Sequence, residues 1–138
     1  MRLWHIALLD VLPREQLVAQ WRELSSIAGA IQKKGTPNHV LVNFVITYPF
    51  SHLISYAYYV RQEMTARGYK TMDSVYDKIL SLDRDYSLLP KERVFDSKMN
   101  DTYLRICAYN LYEKYLCGQE MPTETTERLR GIIRENDY

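Results

Sequence analysis

Apolar residues recur at helical spacing along much of the chain, most clearly in the segment after Pro13. Apolar side chains there fall three or four positions apart and share one stripe: Leu17, Trp21, Leu24, Ala28 and Ile31. A proline suits the first turn of a helix, because its missing N–H group is not needed there. Gly35, directly after Lys33 and Lys34, is a typical helix end. The pattern therefore predicts one long amphipathic helix from Pro13 to about Lys34.

A second helix is predicted between Pro49 and Gly68. The pattern divides its residues into three groups. The buried face is Leu53, Ala57, Val60 and Met64; the solvent-exposed face is Arg61, Gln62, Glu63 and Arg67; and the flanks are Tyr56, Tyr58 and Tyr59. The range 71–82 predicts a shorter third helix.

Two more helices are predicted in the last third of the chain. Asn100 and Asp101 are suitable N-terminal caps, and Gly118 is a suitable end for the helix that they open. Pro122 and Thr123 open the last helix. The whole pattern predicts an all-α fold: a single compact domain spanning 1–138, with four to five helices and an extended N-terminal arm.

Two segments leave their structure open. Residues 2–10 could form a strand, but no partner strands are predicted, and a packed extended arm or a short helical turn fits better. Residues 40–47 are rich in β-branched side chains, which favours a strand by propensity. A buried connecting segment or a short helix is equally compatible with that sequence. Residues 83–97 contain a proline and mixed charges and are predicted to form a loop.

Composition narrows the class of protein without naming a function. The chain has 138 residues, 46% of them apolar, and a net charge of +1, which is low for a dedicated DNA-binding domain. The first 39 residues are mildly basic, so a polyanionic partner should face them, unless the charges merely solvate the surface. Cys107 and Cys117 have no metal-site spacing and are expected to stay reduced. No signal peptide or membrane span is evident, which predicts a soluble cytoplasmic protein.

The common catalytic motifs are missing from the sequence. It has no glycine-rich phosphate loop, no His-Glu-x-x-His and no pair of cysteines spaced like a zinc site. The chain is therefore either a binding module or an enzyme whose reactive groups are scattered along the sequence.

Three segments resemble the pyrimidine-dimer DNA glycosylase family, of the phage endonuclease V type. They are Gln16-Leu17 with Trp21-Arg22-Glu23-Leu24 and Ala28-Gly29-Ala30-Ile31; Tyr58-Tyr59-Val60-Arg61 with Glu63-Met64 and Arg67-Gly68-Tyr69; and Met1-Arg2-Leu3-Trp4-His5 with Leu12-Pro13-Arg14. The first is similar to the aromatic-Arg-Glu-Leu segment and small-Gly-small turn of the family's first long helix. The third is similar to a bacterial branch of the family. The resemblance covers roughly the first 80 residues.

The resemblance implies a DNA repair reaction that uses the chain's own N-terminal amine. In the family this amine attacks C1′ of a damaged nucleotide, and an imine to the sugar then permits strand cleavage by β-elimination. A glutamate in the first helix assists. Carried over, the amine is that of Met1 and the carboxylate is that of Glu23. The substrate is double-stranded DNA with a damaged base or an abasic site, and no metal, cofactor or membrane is needed.

The chemistry is reasonable for these groups. An α-amine has a pKa of about 7.7–8.0, against about 10.4 for lysine, so a usable fraction is unprotonated near neutral pH. Met1 should be retained, because methionine removal generally spares a bulky second residue such as Arg2. Twelve extended residues span about 40 Å, while Pro13 and Glu23 lie about 15 Å apart along a helix. The arm can therefore fold back to Glu23.

Basic residues in the matching part of the chain are candidate contacts to DNA phosphates: Arg2, Arg14, Arg22, Lys33, Lys34 and His39. All of these except His39 have a plainer alternative. Arg2 and Arg14 could pair with Asp10 or Glu15, Arg22 and Glu23 could be ordinary surface residues, and the two lysines could simply end the helix. His5 is expected to be a buried, hydrogen-bonded core residue. The alternative function is a non-catalytic helical module that binds nucleic acid or protein.

Overall fold

Five α-helices follow a short N-terminal arm in the computed structural model of the protein, which describes residues 1–134. They are α1 (Arg14–Lys34), α2 (Phe50–Ala66), α3 (Asp73–Leu80), α4 (Asp101–Leu116) and α5 (Thr123–Arg134). Short 3-10 helices cover Ile6–Val11, Asn43–Thr47 and Lys91–Arg93. No strand occurs within 1–134, which confirms the predicted all-α class. α3 is shorter than the predicted range 71–82. None of the helices within residues 1–134 is long and apolar enough to cross a bilayer.

The predicted apolar stripe of α1 is buried along its whole length. Leu17, Leu24 and Ala28 are fully inaccessible to solvent. The helix ends as predicted at Gly35, whose φ of 76° places it in the left-handed region that favours glycine. α1 packs against α2 on its core side and against α3 on one flank, while α4 packs against α5. Both cysteines are free thiols, as expected.

The N-terminal arm is part of the hydrophobic core. Leu3 and Trp4 are buried, and a 3-10 helix over Ile6–Val11 follows, so the predicted short helical turn is confirmed. His5 is buried as predicted, and its Nδ1 accepts a hydrogen bond from the Ala7 N–H at 3.1 Å. The 3-10 helix packs against α2 and α5. The arm therefore links the helices α1, α2 and α3 to the pair formed by α4 and α5.

Two side chains of α2 lie in places that the periodic pattern did not predict. Tyr56, predicted on a flank, is fully buried because its hydroxyl finds a partner inside the core, donating to the Trp4 carbonyl at 2.6 Å. Arg67, predicted on the exposed face, is only 22% exposed at its side chain. Its guanidinium donates to the carbonyls of Leu12 at 2.7 Å and Leu9 at 3.2 Å, and it pairs with Glu63 at 2.8 Å. Arg67 thus satisfies carbonyls at the end of the arm.

The segment over 40–47 forms a turn and then the 3-10 helix over Asn43–Thr47, so the strand that propensity favoured is wrong and the short helix is right. Strand propensity depends on pairing with a neighbour, and no strand occurs within 1–134 to provide one. Ala28, Gly29 and Ala30, which resemble the family's small-Gly-small turn, continue α1 here, as the helical pattern predicted. A Cβ on Gly29 would lie 2.9 Å from Lys78 Nζ, the movable end of a flexible side chain of α3.

The loop over 83–97 contributes to the core, which its composition did not predict. Val94 and Phe95 are buried, and the short helix Lys91–Arg93 precedes them. The Phe95 N–H donates to His52 Nδ1 at 2.8 Å, which joins the loop to α2.

Candidate active site

The chain's first residue and Glu23 line the same pocket. This pocket has a volume of about 320 Å³ and lies between the arm, α1 and α4. Its lining residues come from four segments: Met1, Arg2 and Trp4 from the arm; Glu15, Gln16, Ala19 and Glu23 from α1; Leu41 from the loop after α1; and Asn110 and Lys114 from α4. The predicted fold-back of the arm onto α1 is therefore present.

Partial burial and the charge of the N-terminus both affect the pKa of the Glu23 carboxyl group. Burial raises the pKa of Glu23 above its ordinary value. The positive charges of the Met1 amine, His39 and Arg22 act in the opposite direction and offset only part of that rise in pKa. A half-buried carboxyl with a raised pKa can accept and return a proton, and it stabilises positive charge that develops nearby.

Gln20 connects the arm to Glu23 and is completely buried. Its Oε1 accepts a hydrogen bond from the Trp4 N–H at 2.8 Å and lies 2.9 Å from the Tyr56 hydroxyl, whose single proton it shares with the Trp4 carbonyl. Its Nε2 donates to the Arg2 carbonyl at 3.0 Å and to Glu23 Oε2 at 3.1 Å. One amide therefore fixes the backbone next to Met1 and the carboxylate that the terminus faces.

Further hydrogen bonds hold the arm from the other side of the core. The Tyr103 hydroxyl of α4 donates to the Leu3 carbonyl at 2.5 Å. The hydroxyl of Tyr56 lies in the same buried region, and burial raises the pKa values of both tyrosines, which keeps them protonated as donors. Three consecutive arm carbonyls, of Arg2, Leu3 and Trp4, are thus fixed by three different helices.

We predict that Gln20→Leu destabilises the protein and loosens the arm. Leucine fits the volume but leaves the Trp4 N–H and the Arg2 carbonyl without partners, which costs about 3 kcal/mol in the free energy of unfolding. Urea denaturation measures that loss, and amide hydrogen exchange should show faster exchange at Trp4. Gln16→Leu is the matched control, since Gln16 is half-buried and pairs with Gln119 rather than with the arm. Unchanged protection of the Trp4 amide in Gln20→Leu would contradict this role for Gln20.

Three of the predicted phosphate contacts lie at or near the pocket. Arg2 lines it, with its guanidinium carbon 5.8 Å from the centroid of the Trp4 ring. Arg22 is exposed and His39 half-buried, and the charges of both act on Glu23. These three residues stay predictions as DNA contacts, and their positions suit that role.

The other three predicted contacts lie away from the pocket. Arg14 is exposed, and its guanidinium lies 5.4 Å from the centroid of the Tyr69 ring. Lys33 and Lys34 are exposed at the C-terminal end of α1, and the rise of the helix puts them about 15 Å from Glu23 along its axis. Asp10, an alternative partner for Arg2 and Arg14, pairs with Arg128 at 3.1 Å. Arg14, Lys33 and Lys34 could all contact a DNA duplex bound at the pocket only if the interface extended well beyond the pocket.

The sequence did not predict four residues that build or line the pocket: Gln20, Leu41, Asn110 and Lys114. Gln20 lies one helical turn before Glu23. Its only local signal in the sequence is that it is a polar residue beside the apolar stripe of α1. Asn110 and Lys114 are four positions apart on α4 and therefore face the same way. Their position opposite α1 depends on tertiary packing and has no local signal.

A larger groove of about 750 Å³ runs along the outer side of α2, lined by tyrosines such as Tyr58, Tyr59 and Tyr76. The N-terminus does not line it, and the carboxylate of its Glu63 is already paired with Arg67. Among residues 1–134, no group of three or more His, Cys, Asp or Glu side chains is arranged to hold a metal ion. The amine and carboxylate that could carry chemistry are therefore in the smaller pocket.

The first half of the chain is similar to a known protein family. The model of the pyrimidine dimer DNA glycosylase family matches residues 1–77, which include Met1, Glu23 and the whole of α1 and α2. No curated protein and no solved structure gives a significant match to the chain. Because the family model covers more than half of the chain, including the arm and the helix that carries Glu23, the chain belongs to the pyrimidine dimer DNA glycosylase family of DNA repair enzymes.

Proposed function

We propose that the protein is a DNA glycosylase with abasic-site lyase activity that uses the Met1 α-amine as its nucleophile. The observation that carries this proposal is that Met1 and Glu23 line one pocket and that the charge of the amine acts on the Glu23 carboxyl. Its substrate is double-stranded DNA that carries a damaged base or an abasic site.

The first step is base release. The lone pair of the amine nitrogen attacks C1′, and the bond from C1′ to the base breaks with its electron pair leaving on the base. The nitrogen then loses a proton, and the departing base gains one. Glu23 can take part in this transfer, and its carboxylate stabilises the positive charge that develops on the sugar.

The second step is strand cleavage. Opening of the sugar ring gives an imine between C1′ and the Met1 nitrogen, with the ring oxygen leaving as a hydroxyl. Removal of a proton from C2′ then breaks the C3′–O bond, and the phosphate leaves with the bonding electrons. At an abasic site the base is already absent, so the amine adds to the C1′ aldehyde of the open-chain sugar, water leaves to give the imine, and cleavage then follows in the same way.

The charges around the pocket support a nucleotide substrate. Arg2 of the arm and Lys114 of α4 both line it, and both can approach the phosphates that flank a sugar. Glu15 and Glu23 of α1 line the same pocket. Fixing of the arm by Gln20, Tyr56 and Tyr103 holds the amine in place before the substrate arrives, which favours reaction over mere binding.

Borohydride trapping tests the proposal. The protein incubated with abasic duplex DNA should give a covalent adduct when the imine is reduced, and peptide mapping should locate the adduct on Met1. Lys114→Gln is an essential comparison, because Lys114 is the other amine that lines the pocket. An adduct on Lys114, or none on abasic or ultraviolet-damaged DNA, would contradict the proposed nucleophile.

A further inference from the structure

One hydrogen-bond acceptor at the pocket has no partner in the described part of the protein. Asn110 of α4 is half-buried and lines the pocket together with Met1 and Glu23. Its Nδ2 donates to the Ile106 carbonyl at 2.7 Å, one helical turn earlier. Because a carbonyl can only accept, this contact fixes which end of the amide is the nitrogen. Within residues 1–134 no donor lies within hydrogen-bond distance of Asn110 Oδ1, so this oxygen is left to water or to a ligand.

Gln16 provides the contrast, since it is the other side-chain amide that lines the pocket. Its Nε2 donates to Gln119 Oε1 at 3.0 Å, and its Oε1 accepts from Gln119 Nε2 at 2.8 Å. The protein itself therefore occupies both ends of this amide. The remaining side-chain oxygens that line the pocket belong to the carboxylates of Glu15 and Glu23. Among the lining residues, Asn110 thus supplies the neutral side-chain oxygen that is available to a ligand.

The sugar of an intact nucleotide offers no donor to such an oxygen. Within a DNA strand O3′ and O5′ are esterified, C2′ carries only hydrogen, and the ring oxygen can only accept. An abasic sugar, by contrast, carries a hydroxyl on C1′ in its closed hemiacetal form, and a hydroxyl can donate to an amide oxygen. C1′ is also the atom that meets the Met1 amine in the proposed reaction. This hydroxyl would therefore lie at the pocket that Met1 and Asn110 both line.

We propose that Asn110 determines specificity for abasic sites, with its Oδ1 accepting a hydrogen bond from the C1′ hydroxyl of the abasic sugar. This inference rests on the proposed function and names the substrate that the pocket prefers. The amide exchanges no proton with the sugar, and its contribution is to hold C1′ where the Met1 amine can reach it. The same oxygen can accept from the C1′ hydroxyl that forms when the amine adds to the aldehyde, before that hydroxyl leaves as water.

Binding of two unreactive duplexes tests this contact without any covalent step. A borohydride-reduced abasic site keeps the C1′ hydroxyl, a tetrahydrofuran site lacks it, and neither can form an imine. In fluorescence anisotropy we expect the unaltered protein to bind the reduced site about fivefold more tightly, the usual effect of one hydrogen bond between neutral groups. Asn110→Leu keeps the size of the side chain without its acceptor and should bind both duplexes equally. Gln16→Leu is the matched control and should keep the preference, because Gln119 already occupies both ends of that amide.

The two reactions of the proposed mechanism give a second readout. Asn110→Leu should slow borohydride trapping on a preformed abasic site by about fivefold and leave base release from ultraviolet-damaged duplex within about twofold, since an intact nucleotide has no C1′ hydroxyl. Equal slowing of both reactions would overturn the inference, because Asn110 would then contact a group that both substrates share.

The binding and trapping results together separate this inference from the proposed function. Trapping by a protein that binds the two unreactive duplexes equally would overturn the inference and leave the function standing. If nothing is trapped but the preference for the hydroxyl-bearing duplex depends on Asn110, the contact stands and the proposed chemistry fails. If neither trapping nor the preference is observed, both fail.

Discussion

Acetylation of the Met1 amine is expected to abolish covalent trapping of abasic DNA, lowering its rate by at least about 10³-fold. An amide nitrogen has no available lone pair, so it cannot attack C1′ or form an imine. The Met1 residue is 46% exposed, so the added acetyl group need not disturb the core. Gel-based borohydride trapping with an abasic duplex measures the loss.

Two controls separate loss of the nucleophile from loss of the site. Binding of the same duplex, measured by fluorescence anisotropy, should change little on acetylation, because Arg2 and Lys114 remain at the pocket. A chain extended by two residues keeps a free amine but moves it by up to about 7 Å, and it should trap slowly. Trapping by the acetylated protein at the unmodified rate would assign the nucleophile to a lysine instead.

Glu23→Gln is expected to lower the rate of base release by about 10²- to 10⁴-fold, the usual contribution of a positioned acid–base group. The amide oxygen of glutamine can still accept the hydrogen bond from Gln20 Nε2, so the arm should stay in place. Single-turnover release of damaged base from duplex DNA measures the rate. Glu15→Gln is the matched control, since Glu15 lines the same pocket but is exposed at the start of α1, and its rate should stay within about threefold.

Glu23→Gln should leave the fold intact and make the stability of the protein less dependent on pH. Because burial raises the pKa of Glu23, the folded state binds a proton more readily than the unfolded state does. Ionisation of Glu23 therefore lowers the stability of the unaltered protein as pH rises from the unfolded pKa through the raised folded one. Urea denaturation should show Glu23→Gln to be at least as stable as the unaltered protein at neutral pH, with the difference fading below the ordinary glutamate pKa. A large loss of stability at neutral pH would mean that Glu23 is structural.

The parts of the fold that follow from local pattern were predictable. The stripe from Leu17 to Ile31 repeats with the helical period, and the helix ends at the glycine that can adopt positive φ. Asn100 caps α4 as predicted, accepting a hydrogen bond from the Tyr103 N–H. In each case the decisive interaction lies within one or two turns of the residue, so the sequence carries the signal.

The parts that depend on distant partners were not predictable. Arg67 has the period of an exposed residue, yet it binds carbonyls more than fifty positions earlier in the chain. Gln20 and Tyr56 form a hydrogen bond although they are 36 positions apart in the sequence. The local pattern shows Gln20 only as a polar helix residue and Tyr56 only as a flanking one. Lys114 lies outside the part of the chain that resembles the family, so neither periodicity nor resemblance pointed to it.

In the proposed mechanism the arm has two roles, because it carries the Met1 amine and the residues directly after Met1 fill the interior. Leu3, Trp4 and Leu8 are core side chains, and Gln20, Tyr56 and Tyr103 spend their hydrogen bonds on the arm's backbone. A product that lacks the first dozen residues should therefore lose its fold together with the nitrogen that we propose as the nucleophile. Such an unfolded product should be degraded by cellular proteases. It would then not persist as an inactive protein that occupies DNA lesions.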